Sequence, residues 1–152
     1  MYTFSYPLLI GAILAGNSRK ERTRLMNLGK ILGRAFQIQD DLKDYLTTNK
    51  RGEKGKFNDI SSGKRTLPLL LMYKRASMKD QRFLRNCLNK KILTHEEKEK
   101  LMHLIKQPQI LKRIRKEIHH SVQSARRIIH SLSMKQSSKK KLLFIIQSLF
   151  TE

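Results

Sequence analysis

The residues that are scarce in this chain narrow the class of protein before any motif is considered. Among 152 residues there is one cysteine, Cys87, which excludes an internal disulfide framework and a zinc site built from cysteines. With 7 glycines and 3 prolines, the chain is neither collagen-like nor a Pro/Gly-rich disordered protein. The 12 acidic residues are outnumbered by 33 lysines and arginines, which gives a net charge of +21. Such a charge implies anionic partners: phosphates, nucleic acid or an acidic membrane surface.

A long apolar run is also lacking. The apolar stretch at residues 1–16 is shorter than the about 20 residues that a transmembrane helix needs, and Pro7 and Gly11 interrupt it. The first basic residue, Arg19, follows this stretch, whereas a secretory signal carries basic residues ahead of its apolar core. We therefore predict a buried helix here, no membrane span and a cytoplasmic protein.

Apolar residues recur at helical spacing along almost the whole chain, without a useful alternating strand pattern or an internal repeat. One apolar stripe runs through residues 18–47 and another through 110–132. The polar, glycine-containing residues 51–58 indicate a loop, and Thr94 with Glu97 indicates a capping box at the start of a helix. The pattern predicts an all-α protein of about six helices.

Acidic residues are few but concentrated, since four of the five aspartates lie between positions 40 and 59. Asp40 and Asp44 project from the same helix face, where like charges cost about 0.2–0.5 kcal/mol per pair. A bound cation would reverse that sign, and Mg²⁺ usually takes one or two carboxylates together with phosphate oxygens and water. A solvated acidic face without a ligand is the alternative interpretation, which the spacing of Asp40, Asp41 and Asp44 alone favours.

A cationic segment follows the aspartates. Its members lie around two glycines, Gly55 and Gly63, and are Lys54, Lys56, Lys64 and Arg65. Glycine lets cationic side chains and backbone amides approach a phosphate closely. Carboxylates that hold a metal on one side and ammonium groups on the other would together bind a diphosphate. For any single lysine, a position in a solvated loop is the favoured interpretation.

Two blocks of the sequence resemble the trans-polyprenyl diphosphate synthases. The first block resembles the second aspartate-rich motif of that family and reads Gly33-Arg-Ala-Phe36-Gln37-Ile-Gln-Asp40-Asp41-Leu-Lys-Asp44. The second block resembles the segment that follows this motif in the family and reads Asp59-Ile-Ser-Ser-Gly63-Lys64-Arg-Thr66-Leu67-Pro68. The order and spacing of the blocks agree, and the resemblance is detailed from about residue 2 to residue 71. It implies an antiparallel helix bundle of the isoprenoid synthase type. Residues 1–152 would form a single partial domain, about the second half of the full fold, with a metal- and diphosphate-binding half (1–76) and basic C-terminal helices (77–152).

The resemblance implies a prenyltransferase of isoprenoid biosynthesis that joins an allylic diphosphate head-to-tail to isopentenyl diphosphate with Mg²⁺ as its cofactor. Metal ions and lysines neutralise the leaving diphosphate in this chemistry. By resemblance, Asp40, Asp41 and Asp44 bind the metal and are catalytic residues. Gln37 is a further catalytic candidate, with its amide oxygen near the developing cation. Phe36 is a substrate-binding candidate, although packing between helices is the favoured interpretation.

The resemblance also implies lysines that bind substrate. Lys54 lies five residues before Asp59, which is the spacing of the family's diphosphate-binding lysine. Glu53 stands where that family usually has glycine, so Lys56 is a rival for the role. Lys64 would either order the loop or lie near phosphate.

Parts of the family pattern have no counterpart in this sequence: the first aspartate-rich motif and the basic residues that bind isopentenyl diphosphate. We therefore expect Met1 to be an internal start, a split-gene junction or a truncation, and the chain alone to turn over poorly or not at all. Helices made to pack against absent neighbours would expose apolar faces, notably at residues 4–14, and such patches favour association. A homodimer or a complementing N-terminal half is the expected partner.

Two other functions stay open. A basic helical nucleic-acid-binding protein would fit the cations at 112–127 and 139–141, because phosphate contacts give salt-sensitive affinity. The chain has no recognisable binding motif and no tryptophan, so we expect no nucleic-acid partner. The second alternative is a non-catalytic partner subunit of a full-length synthase. The five histidines show no metal-binding pattern, and Cys87 is predicted to be a buried thiol.

Overall fold

Eight α-helices and no strand are present in the part of the chain that the structure describes, residues 2–46 and 57–150. This computed structural model confirms the all-α class, with eight described helices where about six were expected. The helices are α1 (Tyr2–Leu14), α2 (Arg19–Leu46), α3 (Asn58–Ser61), α4 (Leu67–Arg75), α5 (Met78–Cys87), α6 (His95–Ile105), α7 (Pro108–Ser131) and α8 (Gln136–Phe150).

Local capping chemistry sets where several helices begin. At α6 the backbone N–H of Glu97 donates to Oγ1 of Thr94 at 3.3 Å, and the N–H of Thr94 donates to Oε2 of Glu97 at 2.8 Å. The predicted capping box is therefore confirmed. Thr66 caps α4, because its Oγ1 accepts the backbone N–H of Leu69. Pro68 lies in the first turn, where a backbone N–H would form no hydrogen bond within the helix.

The chain divides into two compact units, one made from both ends of the chain (residues up to 37 and from 117) and one from Ile38–Lys116. In the first unit, α1, α2, α7 and α8 supply one apolar core, whose buried members are Ala12, Leu25, Leu28, Leu32, Ala125, Ile129, Leu132 and Ile146. Burial of these side chains is the main source of stability for the amphipathic helices.

A polar clamp joins α2 to the end of α7 within the first unit. Oε2 of Glu21 accepts the backbone N–H of Ser133 at 3.0 Å, and Oε1 pairs with Arg24 at 2.8 Å. Arg24 also donates to the carbonyl oxygen of Ser131 at 2.9 Å. The hydrogen bond from Ser133 holds the pKa of Glu21 below its usual range, with Arg24 acting in the same direction against the opposing effect of burial.

Helices α1 and α2 approach each other closely at Gly29. A methyl group there would lie 2.5 Å from Cα of Ser5 and 2.9 Å from the carbonyl carbon of Phe4. Glycine is required because backbone atoms of α1 occupy the space that a side chain would fill.

The second unit has its own apolar core, contributed by the end of α2, the start of α7 and the helices between them. Fully buried members include Tyr45, Phe57, Ile60, Met72 and Leu101. Cys87 is also fully buried, and burial raises the pKa of its thiol to about 11, which confirms the prediction of a buried thiol.

Apolar side chains on the outer side of α1 remain exposed. Tyr6, Ile10 and Ile13 are each about half exposed, and Leu14 is 83% exposed. This confirms the expected apolar surface at residues 4–14, whereas the prediction of a buried helix is wrong for the described chain, because only one side of α1 packs against the core. None of the described helices has both the length and the apolar character needed to cross a membrane.

Candidate functional site

The last two turns of α2 carry the acidic triad, defined as Asp40, Asp41 and Asp44, at the start of the second unit. Asp40 is exposed to solvent, Asp41 is 6% exposed and Asp44 is half-buried. The continuous helix places Asp40 and Asp44 one turn apart, as the sequence predicts. The three carboxylates therefore occupy different environments although they share one motif.

Asp44 is bound to the segment that starts α3. Its Oδ1 accepts the N–H of Asn58 at 3.2 Å, its Oδ2 accepts the N–H of Asp59 at 3.0 Å, and its backbone carbonyl accepts the N–H of Phe57 at 3.1 Å. Three consecutive amides thus donate to one residue. Burial raises the pKa of the Asp44 carboxyl, and the two amide donors to that carboxylate oppose this rise.

Phe57 turns the backbone immediately before α3. Its φ of 67° lies in the left-handed region, which is rare for a bulky side chain and costs of the order of 1–3 kcal/mol. The side chain is fully buried and its ring meets that of Tyr45 edge-on, with centroids 5.7 Å apart. Burial and the aromatic contact offset the backbone strain.

Asp59 and Lys64 form an ion pair that closes the turn after α3. Nζ of Lys64 lies 2.5 Å from Oδ1 of Asp59. The Asp59 side chain is 11% exposed, whereas the Lys64 side chain is 59% exposed. The hydrogen bond to Asp59 raises the pKa of Lys64. Gly63 adopts φ +78°, and a side chain there would collide with Asn89. The ion pair places the Lys64 ammonium group beside the Asp59 carboxylate.

The other predicted residues lie in the first unit or outside the described residues. Gln37 is exposed and belongs to the first unit. Phe36 is 40% exposed, with its ring centroid 5.6 Å from that of Phe4, in agreement with packing between helices. Lys54 and Lys56 lie outside the described residues.

The arrangement fits a metal ion bound jointly with a phosphate better than a permanently resident metal. Within residues 2–46 and 57–150, no three His, Cys, Asp or Glu side chains are grouped closely enough to hold an ion. Mg²⁺ needs only one or two carboxylates when phosphate oxygens and water complete its shell. The exposed Asp40 carboxylate meets that requirement, with Asp41 one residue further along α2.

Comparison with known proteins agrees with the sequence motifs. A model of the family described as polyprenyl synthetase matches residues 1–105, over two thirds of the chain. A short chain isoprenyl diphosphate synthase of Methanothermobacter thermautotrophicus is 39% identical over 71 residues, which are 47% of this chain and 22% of the relative. The octaprenyl diphosphate synthase of Escherichia coli is 45% identical over 58 residues, 38% of this chain and 18% of the relative.

The similarity in fold extends further along the chain than the similarity in sequence. A geranylgeranyl pyrophosphate synthase from Corynebacterium glutamicum, solved with isoprenyl diphosphate and magnesium, superimposes with a TM-score of 0.85. The match covers 99% of this chain and 43% of that one at 24% identity, so it shows the fold alone. The chain thus spans about a fifth of these curated relatives and less than half of this solved structure.

Proposed function

Because the chain belongs to the polyprenyl synthetase family, we propose that it supplies the metal- and diphosphate-holding part of a Mg²⁺-dependent prenyltransferase. The reaction is the head-to-tail condensation of an allylic diphosphate with isopentenyl diphosphate. The supporting observation is the contact between Asp44 and the amides of residues 57–59, because it ties the cationic turn to the acidic end of α2. Carboxylates and an exposed ammonium group are thereby held in one unit.

Each residue of the site has a proposed part in binding the diphosphate. Asp40, supported by Asp41, would hold Mg²⁺, which when bound supplies positive charge to the leaving diphosphate. Lys64 would donate an N–H to a phosphate oxygen while Asp59 fixes its position. Gln37 would present its amide oxygen to the developing cation. This set neutralises charge where it develops, which is electrostatic stabilisation of the transition state.

The other substrate contacts are proposed from the resemblance alone. Lys54 and Lys56 would bind the diphosphate from outside the described residues, and Phe36 would lie beside the prenyl chain. A first aspartate-rich motif does not occur in the sequence. We therefore propose that the chain has little or no turnover alone and works with a complementing N-terminal half that carries this motif. A homodimer is proposed only as a way to cover the exposed apolar side of α1, because a second copy would not supply the motif.

Calorimetric titration of the chain with pyrophosphate, with and without Mg²⁺, tests this proposal. We expect Mg²⁺-dependent binding that Asp40→Asn weakens by at least about tenfold, since a charged ligand group is lost. Glu96→Gln is the matched control, because it removes one negative charge from an exposed position at the start of α6. The proposal is wrong if Mg²⁺ has no effect on pyrophosphate binding, or if the two variants behave alike.

Incorporation of labelled isopentenyl diphosphate tests the second part of the proposal. The chain is assayed alone and after addition of a polypeptide that carries the first aspartate-rich motif of a family member. We expect prenyl products only in the mixture. Clear products from the chain alone would contradict the proposed dependence on a complementing part.

A further inference from the structure

We propose that Asp44 is a positioning residue and not a metal ligand: its carboxylate fixes the backbone of residues 58–59 and, through Asp59, the ammonium group of Lys64. That Lys64 binds a phosphate rests on the proposed function. That Asp44 holds residues 58–59 and Lys64 in place does not. The triad would accordingly divide into the exposed Asp40, which serves the metal, and Asp44, which serves the phosphate-binding turn.

The first step of the argument is that α3 lacks a cap of its own. The first amides of any helix have no acceptor within the helix and are usually satisfied by a side chain at the N-cap position. Here the N-cap residue is Phe57, whose side chain has no acceptor. Asp44 supplies the missing acceptors from 14 and 15 residues earlier in the chain, at 3.2 Å and 3.0 Å.

The second step concerns what surrounds the Asp44 carboxylate. Each of its oxygens already accepts one backbone N–H, and the carbonyl of the same residue accepts a third. The positive ends of these three N–H dipoles point toward Asp44, which favours an anion there and opposes a cation. Asp40 is exposed and a metal ion can approach it from solvent.

The third step connects Asp44 to Lys64. The backbone N–H of Asp59 is held by Asp44, and the side chain of Asp59 is held by Lys64 at 2.5 Å. The N–H of Lys64 also donates to the carbonyl oxygen of Asp59 at 2.8 Å. An ammonium group has three N–H donors, so the pair with Asp59 leaves others for a phosphate. A shift of the α3 backbone would therefore displace the Lys64 ammonium.

Amide hydrogen exchange on the metal-free chain tests the positioning directly. We expect Asp44→Asn to speed exchange at Asn58 and Asp59 by at least about tenfold, because a neutral amide is a weaker acceptor than a carboxylate. Asp40→Asn is the matched control, since it makes the same change one turn earlier and should leave these amides unaffected. Unchanged exchange in Asp44→Asn would overturn the proposal. Exchange in α6 reports whether each variant is folded.

Pyrophosphate binding at varied Mg²⁺ then separates the two roles. Asp44→Asn should weaken pyrophosphate binding about tenfold and keep the half-saturating Mg²⁺ concentration within about twofold, whereas Asp40→Asn should raise that concentration. A rise in Asp44→Asn equal to that in Asp40→Asn would show a metal ligand and overturn the proposal. If the unmodified chain binds no pyrophosphate with Mg²⁺, the proposed function fails, while the exchange experiment still judges Asp44.

A second variant covers the case in which Asp44→Asn does not fold. Lys64→Met removes the ammonium and leaves the amides of residues 57–59 bonded to Asp44. It should weaken pyrophosphate binding without changing the half-saturating Mg²⁺ concentration or the exchange at Asn58. Undiminished pyrophosphate binding, or a changed requirement for Mg²⁺, would refute the connection through Asp59.

Discussion

Replacing Gly29 with alanine tests the close approach of α1 and α2 in the first unit. Alanine is the better helix former by about 1 kcal/mol, so the substitution would stabilise an isolated helix. In this fold the new methyl would lie 2.5 Å from Cα and 2.7 Å from N of Ser5. Both are backbone atoms that cannot rotate away, so α1 itself must move by nearly 1 Å to restore ordinary contact.

For Gly29→Ala, the cost of the steric clash should exceed the gain in helix propensity. Overpacking a tight interior site costs about 1–3 kcal/mol, and we expect the upper end because the obstacle is backbone. After subtraction of about 1 kcal/mol for the better helix former, Gly29→Ala should lower the free energy of unfolding by about 2 kcal/mol. Gly11→Ala is the matched control, because nothing lies within 4 Å of that site on α1. It should raise the free energy of unfolding by about 0.5–1 kcal/mol.

Urea unfolding followed by circular dichroism measures both variants. The midpoint should fall for Gly29→Ala and rise for Gly11→Ala, with equal slopes against urea concentration if the unfolded state is unchanged. A Gly29→Ala variant as stable as the unmodified chain would refute the close approach of α1 and α2. Equal destabilisation by the two substitutions would show that the effect is not specific to the crossing.

Three further predictions concern individual side chains. The pKa of Glu21 is lowered in the folded chain, so its contribution to stability is present above about pH 4.5 and is lost as the pH falls through the folded pKa. When the urea midpoint of unfolding is measured against pH, it should fall less steeply in acid for Glu21→Gln than for the unmodified chain. Thr94→Ala removes half of the capping box and should cost about 1 kcal/mol in urea unfolding, and no loss would contradict the cap. Cys87, buried and with its pKa raised to about 11, should react with a thiol reagent at pH 8 only after denaturant is added; rapid labelling of the folded chain would contradict its burial.

Features that depend on neighbours in the sequence could be predicted. The capping box needs only Thr94 and Glu97, three residues apart, and both of its hydrogen bonds are present. The 3.6-residue recurrence of apolar side chains was enough to indicate helices, because each long helix has one buried face. The positions of Asp40, Asp41 and Asp44 at the end of α2 follow from the same periodicity.

Features that depend on distant backbone could not be predicted. Helix α3 has four residues, too few to show a periodic pattern. The contact of Asp44 with Asn58 and Asp59 uses backbone N–H groups, which almost every residue carries, so no side-chain pattern marks it. Phe57 adopts a left-handed conformation that its residue type disfavours, and its burial against Tyr45 and its hydrogen bond to Asp44 are contacts that the sequence does not mark.

The first unit is assembled from opposite ends of the polypeptide, which affects the order of folding. The clamp contacts of Glu21 with Ser133 and of Arg24 with Ser131 span 112 and 107 positions. Closing a loop eight times longer than the 14 residues between Asp44 and Asn58 costs about 2 kcal/mol more in chain entropy. During translation, Ile38–Lys116 can become compact while α1 and the first half of α2 still lack their partners. Within this stretch of chain, the apolar side chains of α1 and the first half of α2 therefore gain their α7 and α8 partners only after residues 38–116 have been made.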